Sequence, residues 1–531
     1  MTEKSRIVVF TGDVSYSVRR GIVEIDGTMS GLSWLIALHA PQRSAGELLT
    51  GQWRNLRRNG WRWIPYQAAD LWRRLLTEEA PRLDPSPLPG GEFTARAVRA
   101  RPNVRFVQVS DVHSRESLDM VRAFEPDLGL SLAAPIMRRP LFSIPRLGTI
   151  NLHKGGLPNY RGMPPGFWEL WNDEQSVGCA VHWVNDKLDT GDIVRQATVE
   201  RAKFSTVLGL QLRLDEVGAE LMRDAVRDIL HGTSAALPQA GHGKTYRKPT
   251  LAQAAALRRK LRRAERPRSL TPMRVIKQAS SRLGIGLWQV GLGRMLTPRI
   301  TVLLYHRVCD DARDNLSVGI EQFHRQMTLL RKHCQPMAIP EAVASDVVAR
   351  SDKPFVAVTF DDGYLDNYVH AAAILRRHCI PAAFFVSTGL MGSNGRFPHD
   401  MRRGNPPIAL MNWDHLRKMR EWGFTIGSHT VSHIDCAAEP EERLRAELTQ
   451  SRDHLQRELG VTAPLFAYPY GGRENMTPDR LELVKQAGYC GCLSAYGGTN
   501  VGRVNRYNVL RRGIHWEFSD EAFLLACTGL I

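Results

Sequence analysis

Short apolar runs alternate with amphipathic stretches along the first half of the chain. Residues 6–12, 104–110 and 127–133 are mostly apolar segments that predict strands. Between the last two, a helical pattern starts at Ser114, a residue type favoured at helix N-caps, and continues to Phe124. Strand, helix and strand in this order predict a parallel sheet, whose functional side chains lie at the carboxyl ends of the strands.

The same alternation returns in the second half. Apolar runs there predict strands at 301–308, 355–361, 382–387, 424–428 and 465–469. The stretches between these strands include helical patterns at 320–333 and 441–459. Strand and helix repeated over roughly 200 residues predict a barrel-like α/β domain.

The length of 531 residues suits two domains of roughly 200 to 250 residues each. A helical pattern from Thr206 to Leu230 closes the first half, and an arginine-rich segment follows it. We therefore divide the chain into a first domain at 1–250, a basic linker at 251–298 and a second domain at 299–531.

The basic linker admits two interpretations. It is either a solvated helix between the domains or a partly amphipathic segment that lies on an anionic membrane through residues 256–299. Its basic start is followed by apolar residues, which include Val275, Ile276, Leu287 and Trp288. Several glycines count against a long helix in this region: Gly284, Gly286, Gly291 and Gly293.

Charge and targeting features narrow the range of partners and locations. A net charge of +17 favours an anionic partner, whether nucleic acid, anionic lipid or a phosphate-bearing substrate. The N-terminal residues enter a strand pattern without the apolar region of a secretory signal, and no apolar run reaches the ~18 residues of a membrane span. Eight scattered cysteines favour free thiols in a reducing compartment. These features predict a cytoplasmic protein, with the inner face of the membrane as a further location.

Three residues in the first half supply the groups that acyl transfer to an amine requires. The reaction needs an acceptor for the ammonium proton, a donor to the tetrahedral oxyanion and a carboxylate that orients the imidazole. His153, Asn151 and Asp189 are of these three types. Asn151 and His153 are two residues apart in a predicted strand, so their side chains share one face. Asp189 can join them only through the fold.

The sequence around these residues resembles the signature of the folate-dependent formyltransferases, which include methionyl-tRNA formyltransferase and the nucleotide-sugar N-formyltransferases. Three motifs occur in the family's order: Asn151-Leu152-His153, then Leu157-Pro158 with Arg161-Gly162, and then Leu188-Asp189-Thr190-Gly191-Asp192. The resemblance implies a Rossmann-like domain in which Asn151, His153 and Asp189 are catalytic. It also implies 10-formyltetrahydrofolate as the donor, with cofactor contacts at Leu157, Pro158, Arg161 and Gly162.

Two departures from this family are visible. Lys154-Gly155-Gly156 stands where many members have Pro-Ser-Leu, which alters the loop beside the catalytic histidine. The tRNA-specific enzymes carry a small RNA-binding domain after the catalytic core, whereas this chain continues into the basic linker. Nucleic acid is therefore not the expected partner.

The second half contains residues suited to a mononuclear metal hydrolase. His429 and His433 are four residues apart, which places both imidazoles on one face if the segment is helical. Asp362 can complete a ligand set, and the adjacent Asp361 can serve as general base. A zinc or similar divalent ion in such a site lowers the pKa of bound water from about 16 to about 7.

These residues occur in motifs that resemble those of the polysaccharide deacetylases, carbohydrate esterase family four. The motifs are Thr359-Phe360-Asp361-Asp362-Gly363, His429-Thr430-Val431-Ser432-His433 and Tyr468-Pro469-Tyr470-Gly471. The resemblance implies a distorted (β/α) barrel with Asp361 as base and a metal on Asp362, His429 and His433. It further implies that the backbone N–H of Tyr470 stabilises the oxyanion, and His515 is our candidate for the general acid.

One residue of the deacetylase pattern is missing. Ala467 occupies the position where many members have an arginine that orients the base. Arg511 and Arg512, in the last segment of the chain, are candidates to replace it.

Together the two resemblances predict a bifunctional enzyme that adds a formyl group to one sugar amine and hydrolyses an N-acyl group from an amino sugar. The expected substrate is a nucleotide-linked or lipid-linked amino sugar. In one alternative only one half is active and the other is a docking platform. In another the chain is an RNA-binding formyltransferase that acts on initiator tRNA through the basic linker.

Overall fold

The computed structural model describes residues 5–41, 45–64, 89–200, 207–241, 243–262, 299–310, 314–344, 353–395, 397–402, 407–462 and 464–529. These residues divide into two compact units. The first unit contains the described residues up to 266, apart from residues 89–91. The second unit contains residues 89–91 and the described residues from 267 onward.

The first unit contains nine strands among its described residues: β1 (Arg6–Thr11), β2 (Ser33–His39), β3 (Val104–Val109), β4 (Leu128–Ser131), β5 (Thr149–His153), β6 (Tyr160–Gly162), β7 (Ser176–Trp183), β8 (Ile193–Glu200) and β9 (Lys244–Tyr246). Its described α-helices are α1 (Tyr16–Thr28), α2 (Ala45–Asn59), α3 (Ala95–Arg99), α4 (Arg115–Phe124), α5 (Arg139–Phe142), α6 (Phe167–Trp171), α7 (Val207–Leu230) and α8 (Leu251–Arg262).

A seven-stranded sheet in the order β3-β2-β1-β4-β5-β7-β8 forms the centre of this unit. Strands β1 to β5 are parallel to one another, whereas β7 and β8 run antiparallel to their neighbours. The predicted strands and the helix that Ser114 caps are confirmed, because Ser114 Oγ accepts the N–H of Ser117 at the start of α4. Apolar clusters cover both faces of the sheet.

The second unit contains thirteen strands among its described residues: β10 (Arg299–Tyr305), β11 (Arg307–Val308), β12 (Ser317–Val318), β13 (Gln335–Pro336), β14 (Phe355–Phe360), β15 (Ala382–Val386), β16 (Asn394–Gly395), β17 (Ile408–Ala409), β18 (Thr425–Ser428), β19 (Leu465–Ala467), β20 (Gly491–Leu493), β21 (Asn500–Val501) and β22 (Arg511–Gly513). Its described α-helices are α9 (Ile320–His333), α10 (Ile339–Ala344), α11 (Ala372–His378), α12 (Pro398–Arg402), α13 (Trp413–Glu421), α14 (Glu441–Leu459), α15 (Pro478–Gln486) and α16 (Asp520–Thr528).

The main sheet of this unit has the order β20-β19-β18-β15-β14-β10, and the neighbouring strands in this run are parallel. Strand β10 also pairs with β22 in parallel and with β21 antiparallel. The sheet curls into a half barrel, which confirms the predicted distorted (β/α) architecture. The carboxyl ends of β14, β18 and β19 therefore lie at one edge, and each leads into a predicted site motif.

The basic linker is only partly described. Residues 251–262 are the helix α8, whereas residues 263–298, and with them most of the proposed membrane segment 256–299, lie outside the described residues. Of the helices that the structure describes, none combines the length and apolar character that a membrane span needs. Seven of the eight cysteines are buried, and Cys490 is partly exposed.

Candidate active sites

The first site begins where β5 pairs with the antiparallel strand β7. This register places Asn151 opposite His182. The side-chain amide of Asn151 donates to His182 Nε2 at 3.1 Å, because His182 Nδ1 donates to the Trp183 carbonyl at 2.8 Å. The sequence analysis did not identify His182 as a site residue. The signal for it was a lone histidine in the apolar strand β7.

Asp189 lies between the two imidazoles. Its Oδ2 is 3.5 Å from His153 Nδ1 and its Oδ1 is 3.6 Å from His182 Nε2. The backbone N–H of Gly162 donates to Oδ2 at 2.9 Å. Asp189 also adopts a positive φ of 52°, a conformation in which strain commonly accompanies function. The fold thus brings Asn151, His153 and Asp189 together around His182.

The tautomer of His153 follows from its hydrogen bond. His153 Nε2 lies 2.6 Å from the Tyr160 carbonyl oxygen, which can only accept, so Nε2 carries a hydrogen. Nδ1, facing Asp189, is the nitrogen left to take a proton. Burial lowers the pKa of His153 below its usual value and outweighs the opposing effects of Asp189 and the Tyr160 carbonyl. The imidazole is therefore neutral at neutral pH and can act as a base.

An open cavity adjoins His153. Its wall includes Tyr160 and Tyr246, which stack with ring centroids 5.2 Å apart, and Trp168, which stacks on Tyr246. Glu169 also lines the cavity, and burial raises its pKa to about 7. Sequence reasoning missed Glu169, since one glutamate in an amphipathic segment carries no chemical signal.

The predicted cofactor contacts are only partly at this cavity. Arg161 and Gly162 are among the residues that line it, whereas Leu157 and Pro158, joined by a cis peptide bond, are not. The Arg161 guanidinium donates to Gln239 Oε1 at 2.9 Å. That glutamine in turn donates to the carbonyls of residues 189 and 191, which fixes the loop that carries Asp189.

Within Lys154-Gly155-Gly156, Gly155 lies too close to the His153 imidazole to carry a side chain in this arrangement. A Cβ on Gly155 would lie 2.6 Å from His153 Nε2 and 2.8 Å from the Tyr160 carbonyl oxygen. A side chain there would displace the imidazole from its hydrogen bond. The Lys154 ammonium pairs with Asp215, so it does not enter the set of catalytic groups.

The second site is built around Asp362, which is 1% exposed. Its Oδ1 is 3.4 Å from His429 Nε2 and 3.1 Å from His433 Nε2. Neither carboxylate oxygen has a hydrogen-bond partner among the described residues. His429 Nδ1 donates to the Ala467 carbonyl at 2.8 Å, which leaves its Nε2 lone pair for a cation. These donors fit a divalent metal.

The segment that carries His429 and His433 is not helical, so the condition for a shared helix face is not met. Both lie in the loop after β18, and the chain turns there because Thr430 and His433 adopt positive φ values of 64° and 57°. Glu447 holds the loop, since its Oε2 accepts the N–H groups of residues 431 and 432 at 2.8 and 2.9 Å. The loop brings the two imidazoles to a centroid distance of 5.0 Å.

Asp361 binds Arg511 rather than the imidazole cluster. The guanidinium donates to both carboxylate oxygens, at 2.7 and 2.8 Å, and also to the Ser494 carbonyl. Burial alone would raise the pKa of Asp361, but Arg511 holds it below its usual value. Of the two candidate arginines, Arg511 is therefore the one that contacts Asp361 in place of the arginine missing at Ala467.

A third imidazole adjoins Asp362 and was missed by sequence reasoning. His399 Nε2 lies 3.4 Å from Asp362 Oδ2, the oxygen turned away from His429 and His433. Tyr364 lies 2.9 Å from His399 Nε2 and donates its hydroxyl to Asp400 Oδ2 at 2.6 Å. Asp362, His399 and His433 offer ligand atoms that lie within 4.8 Å of one another. A single histidine outside the recognised motifs gave no signal in the sequence.

Comparison with known families matches both halves of the chain. Residues 93–226 match the formyl transferase family model and residues 349–491 match the polysaccharide deacetylase family model. The chain combines a formyltransferase domain with a polysaccharide deacetylase domain. Both families are enzymatic, and the deacetylases are hydrolases that act on carbon–nitrogen bonds.

Individual relatives cover one domain or the other. The methionyl-tRNA formyltransferase of Acetivibrio thermocellus is 31% identical over 145 residues, which are 27% of this chain and 47% of the relative. The chain thus spans about half the length of the curated relatives it matches. Among solved structures, the deacetylase PplD of Streptococcus pyogenes is 21% identical and covers 44% of this chain and 99% of its own, with a TM-score of 0.37. A sugar N-formyltransferase from a Shewanella species is 14% identical, covers 48% and 87%, and has a TM-score of 0.31.

Two further predicted residues of the deacetylase domain, Tyr470 and His515, have different surroundings. The Tyr470 ring lies 5.2 Å from that of His433, and Tyr470 adopts a positive φ of 61°. His515 follows β22 and packs its ring against Phe518 at 4.9 Å. Tyr470 thus borders the imidazole cluster, whereas the acid role of His515 stays a prediction.

Proposed function

We propose that this chain is a bifunctional amino-sugar-modifying enzyme of cell-envelope or surface-glycan metabolism. One domain transfers a formyl group from 10-formyltetrahydrofolate to a sugar amine, and the other removes an N-acyl group from an amino sugar by metal-dependent hydrolysis. The observation that carries the proposal is that each domain assembles a full set of chemically suitable groups.

In the formyltransferase domain, His153 Nδ1 is the proposed acceptor of the proton that leaves the attacking amine. Asp189, at 3.5 Å, stabilises the imidazolium that forms. The Asn151 amide has a second N–H beyond the one given to His182, and this group is the proposed donor to the oxyanion. Glu169 lies in the wall of the cavity beside His153, and its carboxyl group is a proposed acceptor for an N–H group of the folate donor.

In the deacetylase domain, Asp362, His429 and His433 are the proposed ligands of a divalent metal, for which zinc suits a mixed imidazole and carboxylate set. When bound, the metal would polarise the acyl carbonyl and activate a water molecule. Asp361 is the proposed base for that water, and Arg511 keeps it ionised and in position. The backbone N–H of Tyr470 is the proposed oxyanion donor, and His515 the proposed acid for the leaving amine.

The proposed substrate is a nucleotide-linked or lipid-linked amino sugar, since its phosphate groups suit a chain with a net charge of +17. Reduced folate is cytosolic, so we place both reactions in the cytoplasm. Two reaction orders avoid a futile cycle. Either deacylation uncovers an amine that is then formylated, or formyl is a temporary group that is later removed.

The deciding experiment is mass spectrometry of sugar nucleotides and lipid-linked sugars from cells in which Asp361→Asn replaces the native chain. An accumulated N-formyl sugar would show that formylation comes first, and an accumulated N-acetyl sugar that deacylation comes first. Asp414→Asn is the matched control. The Asp414 side chain is 81% exposed and forms a salt bridge with Arg417. An unchanged sugar profile in the Asp361 variant would contradict the proposed hydrolytic role.

A further inference from the structure

Exposed tryptophan and arginine side chains gather on the formyltransferase domain, outside the residues of either site. Three of the chain's 12 tryptophans fall within residues 53–63. Trp53 is 62% exposed, Trp61 is 73% exposed and Ile64 is 62% exposed. Large apolar side chains grouped in this way on a surface mark an interaction site more often than isolated ones do.

Local geometry brings the two ends of this segment together. Gly60 ends helix α2 with a φ of +67°, which glycine adopts without strain and which turns the chain. Trp63 then donates its indole N–H to Gln52 Oε1 at 2.8 Å. The chain therefore folds back to the turn of α2 that carries Trp53. We name the resulting surface the Trp–Arg patch, formed by Trp53, Arg54, Arg57, Arg58, Trp61 and Ile64.

The Trp–Arg patch is fixed to the body of its domain. The Arg58 guanidinium donates to the carbonyl of Lys248, and Asn59 Oδ1 accepts the N–H of Leu251 at 3.0 Å. Leu251 begins α8, the described start of the basic linker. These contacts present the patch as a preformed surface that adjoins a basic helix.

The charge of this surface is uniformly positive. Residues 52–64 contain four arginines and no acidic residue. Arg54, Arg57 and Arg58 are exposed. Tryptophan is the side chain best suited to the boundary between lipid headgroups and acyl chains, and each nearby arginine adds attraction to anionic lipid.

We propose that the Trp–Arg patch docks the protein on an anionic membrane surface. The two indoles and Ile64 enter the interface while the arginines contact lipid phosphates. Single-stranded RNA also combines with tryptophan and arginine, but it stacks its bases on aromatic rings in a groove, whereas this patch is a helix surface that includes an aliphatic side chain. The inference does not depend on the activity of either catalytic site.

The test is cosedimentation of the purified full-length chain with vesicles of phosphatidylcholine alone and of phosphatidylcholine with about a third phosphatidylglycerol. We expect binding to the anionic vesicles that weakens as salt rises. The double variant Trp53→Ser/Trp61→Ser should lower this binding about tenfold or more, because most of the inserted area is lost. Arg57→Glu should lower it roughly fivefold or more while leaving every apolar group in place.

Matched controls lie elsewhere on the same domain. Leu237→Ser removes an apolar side chain that is 69% exposed, and Arg115→Glu reverses a charge whose side chain is 97% exposed. Both should bind vesicles like the parent chain. Vesicle binding that is equal in the patch variants and the controls would overturn the proposal. So would absence of vesicle binding together with binding to a single-stranded RNA oligonucleotide that the patch variants abolish.

Discussion

Asp361, the proposed general base, is held by one buried side chain, Arg511. Its two N–H groups match the two oxygens of Asp361, a geometry that the point charge of lysine cannot reproduce. We predict that Arg511→Lys lowers the deacylation rate about 10–100-fold. Bound metal, measured by plasma mass spectrometry, should stay at the parent level, because no ligand is altered.

Arg512→Lys is the matched control. Among the described residues, Asp361 forms its salt bridge with Arg511 and not with this neighbour. Equal losses of deacylation rate in the two variants would mean that the segment of residues 511–512 is needed for folding. They would contradict a specific contribution of Arg511 to the position of Asp361. A loss of metal in Arg511→Lys would show that the arginine supports the ligand set instead.

We propose that His399 orients Asp362, a candidate metal ligand. The two carboxylate oxygens of Asp362 contact different imidazoles. Oδ1 faces His429 and His433, and Oδ2 faces His399. We predict that His399→Gln weakens metal affinity about 10–100-fold, since groups that orient ligands contribute that much in other metal sites. Competition with a chromogenic chelator measures the affinity directly, without an activity assay.

The control for that measurement is His231→Gln, which removes an exposed imidazole from the other domain. Tyr364→Phe should give a smaller loss of affinity, because it removes the hydroxyl beside His399 and leaves the imidazole in place. An affinity unchanged in His399→Gln would remove His399 from the metal site.

At the scale of elements, the imidazoles of His324 on α9 and His378 at the end of α11 contact each other with a centroid distance of 4.9 Å. Burial, with Arg377 and Arg325 nearby, lowers the pKa of His324 from 6.5 to about 4. Burial, with the other imidazole and Arg377 and Arg331 nearby, also lowers the pKa of His378. In the folded protein these two imidazoles therefore stay neutral in a pH range in which the same histidines of the unfolded chain are already protonated.

The sign of the pH dependence follows from linkage. The stability that depends on neutral His324 is fully present above pH 6.5 and is lost as pH falls toward about 4, because the unfolded state then binds more protons. We predict that His324→Phe flattens the fall in urea midpoint between these pH values. The measurement uses metal-free protein, so that loss of metal in acid does not contribute, and parallel curves for parent and variant would contradict the prediction.

Elements could be predicted from the sequence more completely than the contacts between them. The central strands of both sheets follow from apolar runs, since strands buried on both faces need apolar side chains at successive positions. The catalytic groups at β5 and at the ends of β14 and β18 follow from their motifs. His182 could not be predicted, because its contact with Asn151 depends on the register of β5 against β7. Spacing alone could not decide between a helix and a loop at His429 and His433, where the structure has a loop.

At the scale of the whole molecule, each domain has its own sheet and its own set of candidate catalytic groups, so the two proposed reactions should be separable. We predict that His153→Ala lowers formyl transfer about 100-fold to 10,000-fold, the range that a general base contributes. Deacylation by the same variant should match the parent. His231→Ala, which removes an exposed imidazole from the same domain, should leave both activities unchanged.

The reciprocal variant changes the candidate metal site of the other domain. Asp362→Asn removes the charged member of the ligand set, so bound metal and deacylation should fall together while formyl transfer persists. Each purified variant is assayed for both activities, with circular dichroism as a check on folding. If one folded variant loses both activities, the sites are coupled, and the two-reaction model must be replaced by one in which the domains act on a shared intermediate. If each variant loses only its own reaction, the chain joins two independent catalysts, and the order of the reactions is set by which sugar each domain accepts.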